Sequence, residues 1–289
     1  MLSYQHGFHA GNPADLLKHL VLVNVLDYLA NKNKPLVYID THAGSGGYSL
    51  ADAQAQKTRE YQQGIGKLWA LSNQAWSPSI TSYLDVVAAF EAQAQQASAA
   101  SSSGRFYPGS PAIAQECLRD YDRLVAYELH PQAFAQLTAH TAGDKRVKIY
   151  QQNGFQGLIA QLPPKERRGI ILIDPPYELK QDYDEVVSRL IAAHKRFATG
   201  TYLLWYPVVE RRRIAKLHRE LKASSIRNIA VFELGWETDN NGRGMTGSGM
   251  IVINPPWTLM ASMQQDLATL KQIIAPQSGY WLADMLIAE

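Results

Sequence analysis

The sequence predicts an α/β protein built on a Rossmann-like, mostly parallel sheet. Three observations carry that expectation. Short apolar runs rich in β-branched residues, 36-LVYID-40 and 170-IILID-174 among them, recur between longer helical patterns. The first run opens into a glycine-rich turn, 41-THAGSGGYSL-50, where the backbone bends tightly and a ligand can approach it closely. The second is halted by Pro175-Pro176, since neither proline has an N–H to give to a sheet ladder. The halt gathers Asp174, the Pro175 carbonyl and Tyr177 at the strand's end, the edge where open α/β sheets bind ligands.

Taken in order, the chain begins with 4-YQHGFHAGN-12, which holds two aromatics, two histidines and two glycines. It is too polar for a strand and too rich in bulky side chains for an idle tail; it reads either as packed and solvated side chains or as a segment folding over a ligand. His6, His9, His19 and His42 have no cysteine near them and fit no zinc-site spacing, so no metal is expected. Residues 12–32 read as a helix, with Asn12 as N-cap, Pro13 in the first position and Asp15 near the positive end. Leu16, Leu17, Leu20, Val21, Val23, Leu26 and Leu29 give it a wide apolar face. The glycine turn that follows the 36–40 strand is G-x-G-G, not the G-x-G-x-x-G of dinucleotide binders.

About eighty residues then separate that turn from the next strand, far more than one crossover helix needs. We read 52–106 as an inserted helical subdomain, with helical patterns at 57–71 and 79–96 and a Ser-rich connector from Ser98 to Gly104. The core is then residues 1–51, whose first 33 form the N-terminal segment, together with 107–289. Ser110-Pro111 starts a helix that carries Cys117. The strand 123-RLVAYELH-130 ends in Glu128, placed to hold two ribose hydroxyls. Strand 147–152 ends at Asn153-Gly154, where a partner for an adenine amine would sit. After the 170–174 strand come a fifth at 201–207, a basic helix at 210–222 and an antiparallel pair, 228–234 and 249–255, around a glycine-rich loop. In the basic helix six Lys and Arg face two Glu, which suits either a solvated face or a phosphate-contacting surface.

Composition adds bounds. With 46% hydrophobic and 19% charged residues over 289, the chain is ordinarily globular, and a net charge of +2 does not by itself announce nucleic acid. One cysteine excludes an internal disulfide and fits a reducing cytoplasm. No apolar run approaches the ~20 residues of a membrane span, and the N-terminus is too polar for a signal peptide. A soluble, cytoplasmic protein without a membrane partner is expected.

The chemistry that suits Asp174, Pro175 and Tyr177 is transfer of a methyl group to an exocyclic amine. The N6 amine of adenine is a poor nucleophile because its lone pair is delocalised into the ring. Acceptors on both N–H groups, the Asp174 carboxylate and the Pro175 carbonyl, favour the pyramidal form that attacks. Tyr177 would stack on the base and hold it in line with a sulfonium methyl. After transfer the amine is cationic and acidic, so even a weak base such as Asp174 takes its proton. The segment 254-NPPW-257 fits the same pattern, but an antiparallel last strand would put it on the opposite edge, so a structural role is expected there.

The order of strand, glycine turn, strand with acid, strand with Asn and strand with DPPY, closed by an antiparallel pair, resembles the seven-stranded class I S-adenosylmethionine-dependent methyltransferases. More specifically, 3-SYQHGFHAGNPADLLKH-19, 40-DTHAGSGGY-48, 107-YPGSP-111, 153-NGF-155, 174-DPPYE-178 and the NPPW ending together resemble the RlmJ family over nearly the whole chain. Its members are 23S ribosomal RNA adenine-N6 methyltransferases. The resemblance implies that His19, His42, Ser110, Glu128, Asn153, Gly154 and Asp174 contact S-adenosyl-L-methionine, and that Asp174 is catalytic. It implies that Tyr4, Lys18, Pro175 and Tyr177 serve the substrate, and that a monomer acts on protein-free or early precursor 23S rRNA in ribosome biogenesis. The family pattern has Asp where this chain has Asn153, so weaker or reoriented cofactor binding is expected there. Two rivals stay open on the residues: a DNA adenine-N6 methyltransferase, and a non-catalytic RNA-binding protein that kept the fold. A protein glutamine methyltransferase is disfavoured by Asp in place of Asn, and a nicotinamide oxidoreductase by the misplaced third glycine.

Overall fold

Each apolar run stops where a polar or proline-bearing segment begins, and the stops of the parallel strands line up on one edge of a single sheet. The computed structural model describes residues 4–71, 73–97, 104–178, 182–239 and 244–289. Most of the expected connector (98–103), part of the 235–248 loop (240–243) and Ser3 lie outside the described residues.

The chain runs through α1 (Pro13–Ala30), β1 (Val37–Asp40), β2 (Gly47–Ser49), α2 (Ala53–Thr58), α3 (Ile65–Trp69), α4 (Pro78–Ala97), β3 (Phe106–Pro108) and α5 (Ser110–Cys117). It continues through β4 (Arg123–Tyr127), α6 (Pro131–His140), β5 (Val147–Tyr150), α7 (Gly154–Gln161), β6 (Gly169–Ile173), α8 (Asp182–Arg196), β7 (Thr201–Val208) and α9 (Arg211–Ala223). The last elements are β8 (Ile229–Gly235), β9 (Gly247–Ile253), α10 (Leu259–Ile274) and β10 (Tyr280–Ile287). The sheet order is β10-β8-β9-β7-β6-β1-β4-β5. Strands β4, β1, β6 and β7 pair in parallel, and β5 joins β4 in parallel. Strand β9 is antiparallel to both β7 and β8, and β10 is antiparallel to β8.

The α/β class and the antiparallel β9 agree with expectation; the strand count is corrected from seven to eight. The extra strand is β10, whose segment YWLADMLI exposes Trp281, Leu282 and Met285 on an edge. A half-covered edge strand lacks the continuous apolar run that marks the buried ones.

Helix α1 is the pivot. Asn12 Oδ1 caps it by accepting from Asp15 N at 3.0 Å, and Asp15 Oδ2 reaches back to accept from Gly11 N at 2.9 Å. The expected apolar face widens into burial on every side through residue 23, as befits a helix sandwiched between layers. One side meets β7, β8 and β9; the other meets α4, α5 and α10. Burying leucines such as Leu16, Leu17 and Leu20 contributes about 1.5–3 kcal/mol each. The polar groups carried into this core are Asp15, Lys18 and His19, which therefore need partners there.

Between the ribbon strands β2 and β3, which pair Gly47 with Pro108 and Ser49 with Phe106, the chain makes its helical excursion. The expected helix at 57–71 is broken into α2, a 3₁₀ turn at Glu60–Gln62 and α3. Two groups account for the break: Arg59 adopts a left-handed conformation, and Gly64 lies where a side chain would collide with Gly11 O. Ala55, Ile65, Leu68, Ile80, Tyr83 and Val87 join the same apolar cluster as α1. The excursion is also tied down by polar contacts, with Ser77 Oγ on Asp266 at 2.5 Å and Lys67 Nζ on Ile274 O at 2.7 Å.

The basic helix α9 resolves toward structure. Arg211 pairs with Glu233 at 2.6 Å and Asp239 at 3.0 Å, Arg212 and Arg213 with Glu210, and Lys216 with Asp184 at 2.6 Å. The Arg211 and Lys216 contacts tie α9 to β8 and α8, while Arg212, Arg219 and Lys222 remain on an exposed face.

Candidate active site at the carboxyl edge of the sheet

Strands β1, β4 and β5 fill one half of the parallel sheet in chain order, and β6 and β7 fill the other. The order reverses between β1 and β6, the point at which such sheets open a crevice. A cavity of about 630 Å³ lies there. It is bounded by the ends of β1 (Thr41, His42), β4 (Glu128), β5 (Asn153) and β6 (Asp174, Pro175) and by Trp205 within β7, and roofed by Tyr4, His6, Lys18 and His19 from the N-terminal segment.

At the centre Lys18 Nζ lies 2.7 Å from Asp174 Oδ2 and 2.9 Å from Asp15 Oδ1. Burial opposes the Lys18 charge, but the two carboxylates overcome it and hold its pKa well above the usual value. Asp15 is likewise driven well below the usual carboxylate range: burial opposes this, and His6, Lys18 and His19 outweigh it. His6 Nε2 meets Asp15 Oδ2 at 2.9 Å and its Nδ1 meets the Tyr4 hydroxyl at 2.8 Å. Tyr4, His6, Asp15, Lys18 and Asp174 thus form one continuous chain from the protein surface to the end of β6.

The glycine turn shapes the other half. Gly44 and Gly46 take positive φ values of 62° and 81°, a region that favours glycine. Glu128 is pinned by two backbone amides, accepting from Gly44 N at 2.8 Å and His130 N at 2.7 Å. Ser110 Oγ donates to Asp40 Oδ2 at 2.7 Å, and Tyr38 OH donates to the same oxygen at 2.8 Å. Burial raises the Asp40 carboxyl to about 6. Gly154 packs so closely on the Thr41 carbonyl that any Cβ would collide with it, which brings the ends of β1 and β5 together.

His19 is fully buried. Its Nδ1 meets Tyr107 OH at 2.8 Å, while Nε2 makes no hydrogen bond among the described residues and lies 3.9 Å from Asp15 Oδ1. Burial lowers its pKa to about 3, so it stays neutral. His42, held by Thr41 Oγ1 at 2.8 Å and packed edge-on to Phe155, is lowered by burial to about 4. An orphaned nitrogen at the cavity, a pinned carboxylate and an open glycine turn fit a nucleoside carrying an amino-acid tail.

Of the residues expected to form the site, Tyr4, Lys18, His19, His42, Ser110, Glu128, Asn153, Gly154, Asp174 and Pro175 all border this cavity. Two differ in detail. Asn153 Oδ1 already accepts from Gln156 N at 3.2 Å as the N-cap of α7, so one of its two lone pairs is occupied. Tyr177 is not in the lining: its ring packs 4.5 Å from Tyr183, and its hydroxyl donates to Trp205 O at 2.7 Å. Its backbone adopts a positive φ of 50°. Asp15, His6, Asp40 and Trp205 are additions. Asp15 was legible only as a helix-end charge, although its i,i+3 and i,i+4 spacing to Lys18 and His19 marks the cluster. Trp205 lies within β7, the strand next to DPPY, and Asp40 ends the strand before the glycine turn.

Comparison with known proteins identifies the family and the fold. The family model described as Ribosomal RNA large subunit methyltransferase D, RlmJ, matches residues 33–287. The chain is 45% identical over 290 residues to the Haemophilus influenzae protein named Ribosomal RNA large subunit methyltransferase J, and 46% identical to the Escherichia coli K12 protein of that name, with all of each chain covered. A crystal structure of a Legionella pneumophila protein matches with a TM-score of 0.85 at 36% identity, covering 96% of this chain and 98% of that one. The protein therefore belongs to the RlmJ family of ribosomal RNA large subunit methyltransferases.

Proposed function

We propose that this protein methylates the N6 amine of one adenine in 23S ribosomal RNA, with S-adenosylmethionine as donor. The observation that carries this reading is the Asp174 carboxylate and the Pro175 carbonyl side by side at a cavity that Glu128 and the glycine turn also border. The two close relatives, named as ribosomal RNA large-subunit methyltransferases, support RNA as the substrate.

S-adenosylmethionine, when bound, supplies an activated methyl group. Glu128, His19, His42, Ser110, Asn153 and Gly154 are the residues we assign to hold it. Glu128 offers its carboxylate to hydroxyls, and His19 Nε2 offers a ring nitrogen that the fold leaves without a hydrogen bond. Ser110 gives its proton to Asp40, so its oxygen faces the cavity as an acceptor.

The target adenine leaves its stack before reaching Asp174. Lys18 orients the carboxylate, and Asp174 with Pro175 O accepts the two amine hydrogens, restoring the nitrogen lone pair. Asp174 then takes the proton from the methylated, cationic nitrogen. Tyr4 and Lys18 sit where the arriving nucleotide must pass. Stacking by Tyr177 on the base requires its ring to turn away from Tyr183.

In this reading 1–51 and 107–289 form the catalytic core, 52–106 is an inserted helical subdomain whose start, at Asp52, Ala53 and Gln54, borders the cavity, and a cytoplasmic monomer acts on protein-free or early precursor RNA. Among the described residues no helix is long and apolar enough to cross a membrane. Supplying labelled S-adenosylmethionine with 23S rRNA and, separately, with duplex DNA tests the substrate. Label on RNA alone is expected; label on DNA alone would move the assignment to the DNA rival.

A further inference from the structure

We propose that Trp205 reads the target base, its indole N–H donating to the N1 acceptor of adenine; this rests on the adenine-N6 reading above. Strand β7 is buried along its length except at Trp205, its one half-buried position, because there the strand faces the cavity. Leu204 pairs with Ile173 in the parallel register of β6 and β7. The next position along sets Trp205 beside Asp174, about one strand spacing (~4.8 Å) away.

The residue is held firmly. Its carbonyl accepts the Tyr177 hydroxyl, its backbone pairs with Met250 of β9, and its ring lies 5.9 Å from that of Tyr177. Yet the indole Nε1 is shut off from solvent and has no acceptor among the described residues. A buried N–H without a partner destabilises the fold, a cost that an apolar side chain at this position would not carry. The retained donor is explained by an acceptor that arrives with the substrate once the half-buried ring turns its Nε1 out of the packing and toward the cavity.

The chemistry of that acceptor follows from its neighbours. Asp174 and Pro175 O can only accept, so they face the amine. A donor beside them faces the ring nitrogen next to the amine, and a flipped base is read along its Watson–Crick edge. Adenine offers an acceptor there; guanine offers an N–H and a carbonyl, which meet Trp205 and Asp174 with the wrong polarity.

The test is a cycle between protein and RNA. Methyl transfer is measured for wild type and Trp205→Phe on 23S rRNA fragments carrying adenosine, 1-deazaadenosine or 7-deazaadenosine at the target. Replacement of Trp205 by benzothienylalanine keeps the bicyclic shape without the N–H and serves if the phenylalanine variant folds poorly. Calorimetric binding of S-adenosylmethionine shows that the cofactor side is intact. On adenosine RNA the variants are expected to lose about tenfold in kcat/KM. The penalty for 1-deaza substitution should be about tenfold smaller in them than in wild type, because the contact it removes is already gone, while the 7-deaza penalty stays the same. Equal 1-deaza penalties in wild type and variants overturn the inference, as does coupling confined to 7-deaza RNA. Failure of wild type to methylate adenosine RNA is the separate result that removes the underlying reading, and the inference with it.

Discussion

Residues 174–177 and 254–257 spell nearly the same thing, DPPY and NPPW, at opposite edges of one sheet. Both segments stop a buried strand, and both contain a residue at positive φ, Tyr177 at 50° and Asn254 at 53°. Their polar residues do different work. Asp174 meets the buried Lys18 ammonium at the cavity. Asn254 donates from Nδ2 to Ala198 O and Gly200 O, both at 2.8 Å, and fastens the turn before β7. Tyr177 is packed and hydrogen-bonded, whereas Trp257 is 81% exposed. The difference comes from strand direction: β6 ends at the crevice, and β9, being antiparallel, ends away from it. A motif acquires chemistry only where the topology delivers it.

Exchanging the two polar residues breaks the comparison most sharply. Asp174→Asn should lower methyl transfer by about 10²–10⁴-fold through loss of the proton acceptor, with S-adenosylmethionine binding retained in calorimetry. Asn254→Asp removes two N–H donors and sets a carboxylate against two carbonyls. It should cost about 1–3 kcal/mol in urea unfolding and leave kcat unchanged at a permissive temperature.

Acid sharpens the contrast, since Asn254 does not titrate whereas the cavity's histidines do. His19 is neutral in the fold down to about pH 3, while in the unfolded chain it takes up a proton below about pH 6.5. Between those values the unfolded state binds more protons, so His19's contribution is fully present above the window and is lost as pH falls. The loss is about 1.4 kcal/mol per pH unit. Asp40, raised to about 6, works in the opposite sense over part of the range, so the comparison is with His19→Asn. That variant's stability should fall less steeply than wild type between pH 6 and pH 4 by about that slope; parallel curves would show His19 to be indifferent to acid. The smallest effect is expected at the exposed end of the second motif, where Trp257→Ala should change stability by no more than about 0.5 kcal/mol and activity not at all.

What the sequence made legible follows the same logic of local against distant. The strand ends, the glycine turn, Glu128 and the silence of NPPW were readable because strand polarity and proline chemistry are local. Lys18 was assigned to substrate through resemblance alone; its place between Asp15 and Asp174, 156 residues further on for the latter, exists only after folding. The paired charges of α9 could not be told from a phosphate surface, because Glu233, Asp239 and Asp184 come from other elements. Strand β10 escaped notice because an edge strand does not need an apolar run. Tyr177 was expected to face the base, and its direction depends on Tyr183 and on Trp205 O, which pattern does not reveal.

The most direct measurement is transfer of labelled methyl from S-adenosylmethionine to protein-free 23S rRNA by wild type and Asp174→Ala, with the modified nucleotide identified and mapped. N6-methyladenine at one position with wild type, and its disappearance in a variant that still binds S-adenosylmethionine, is the expected result. Undiminished methylation by Asp174→Ala, or label on any atom other than an adenine N6, would contradict the assignment of this cavity.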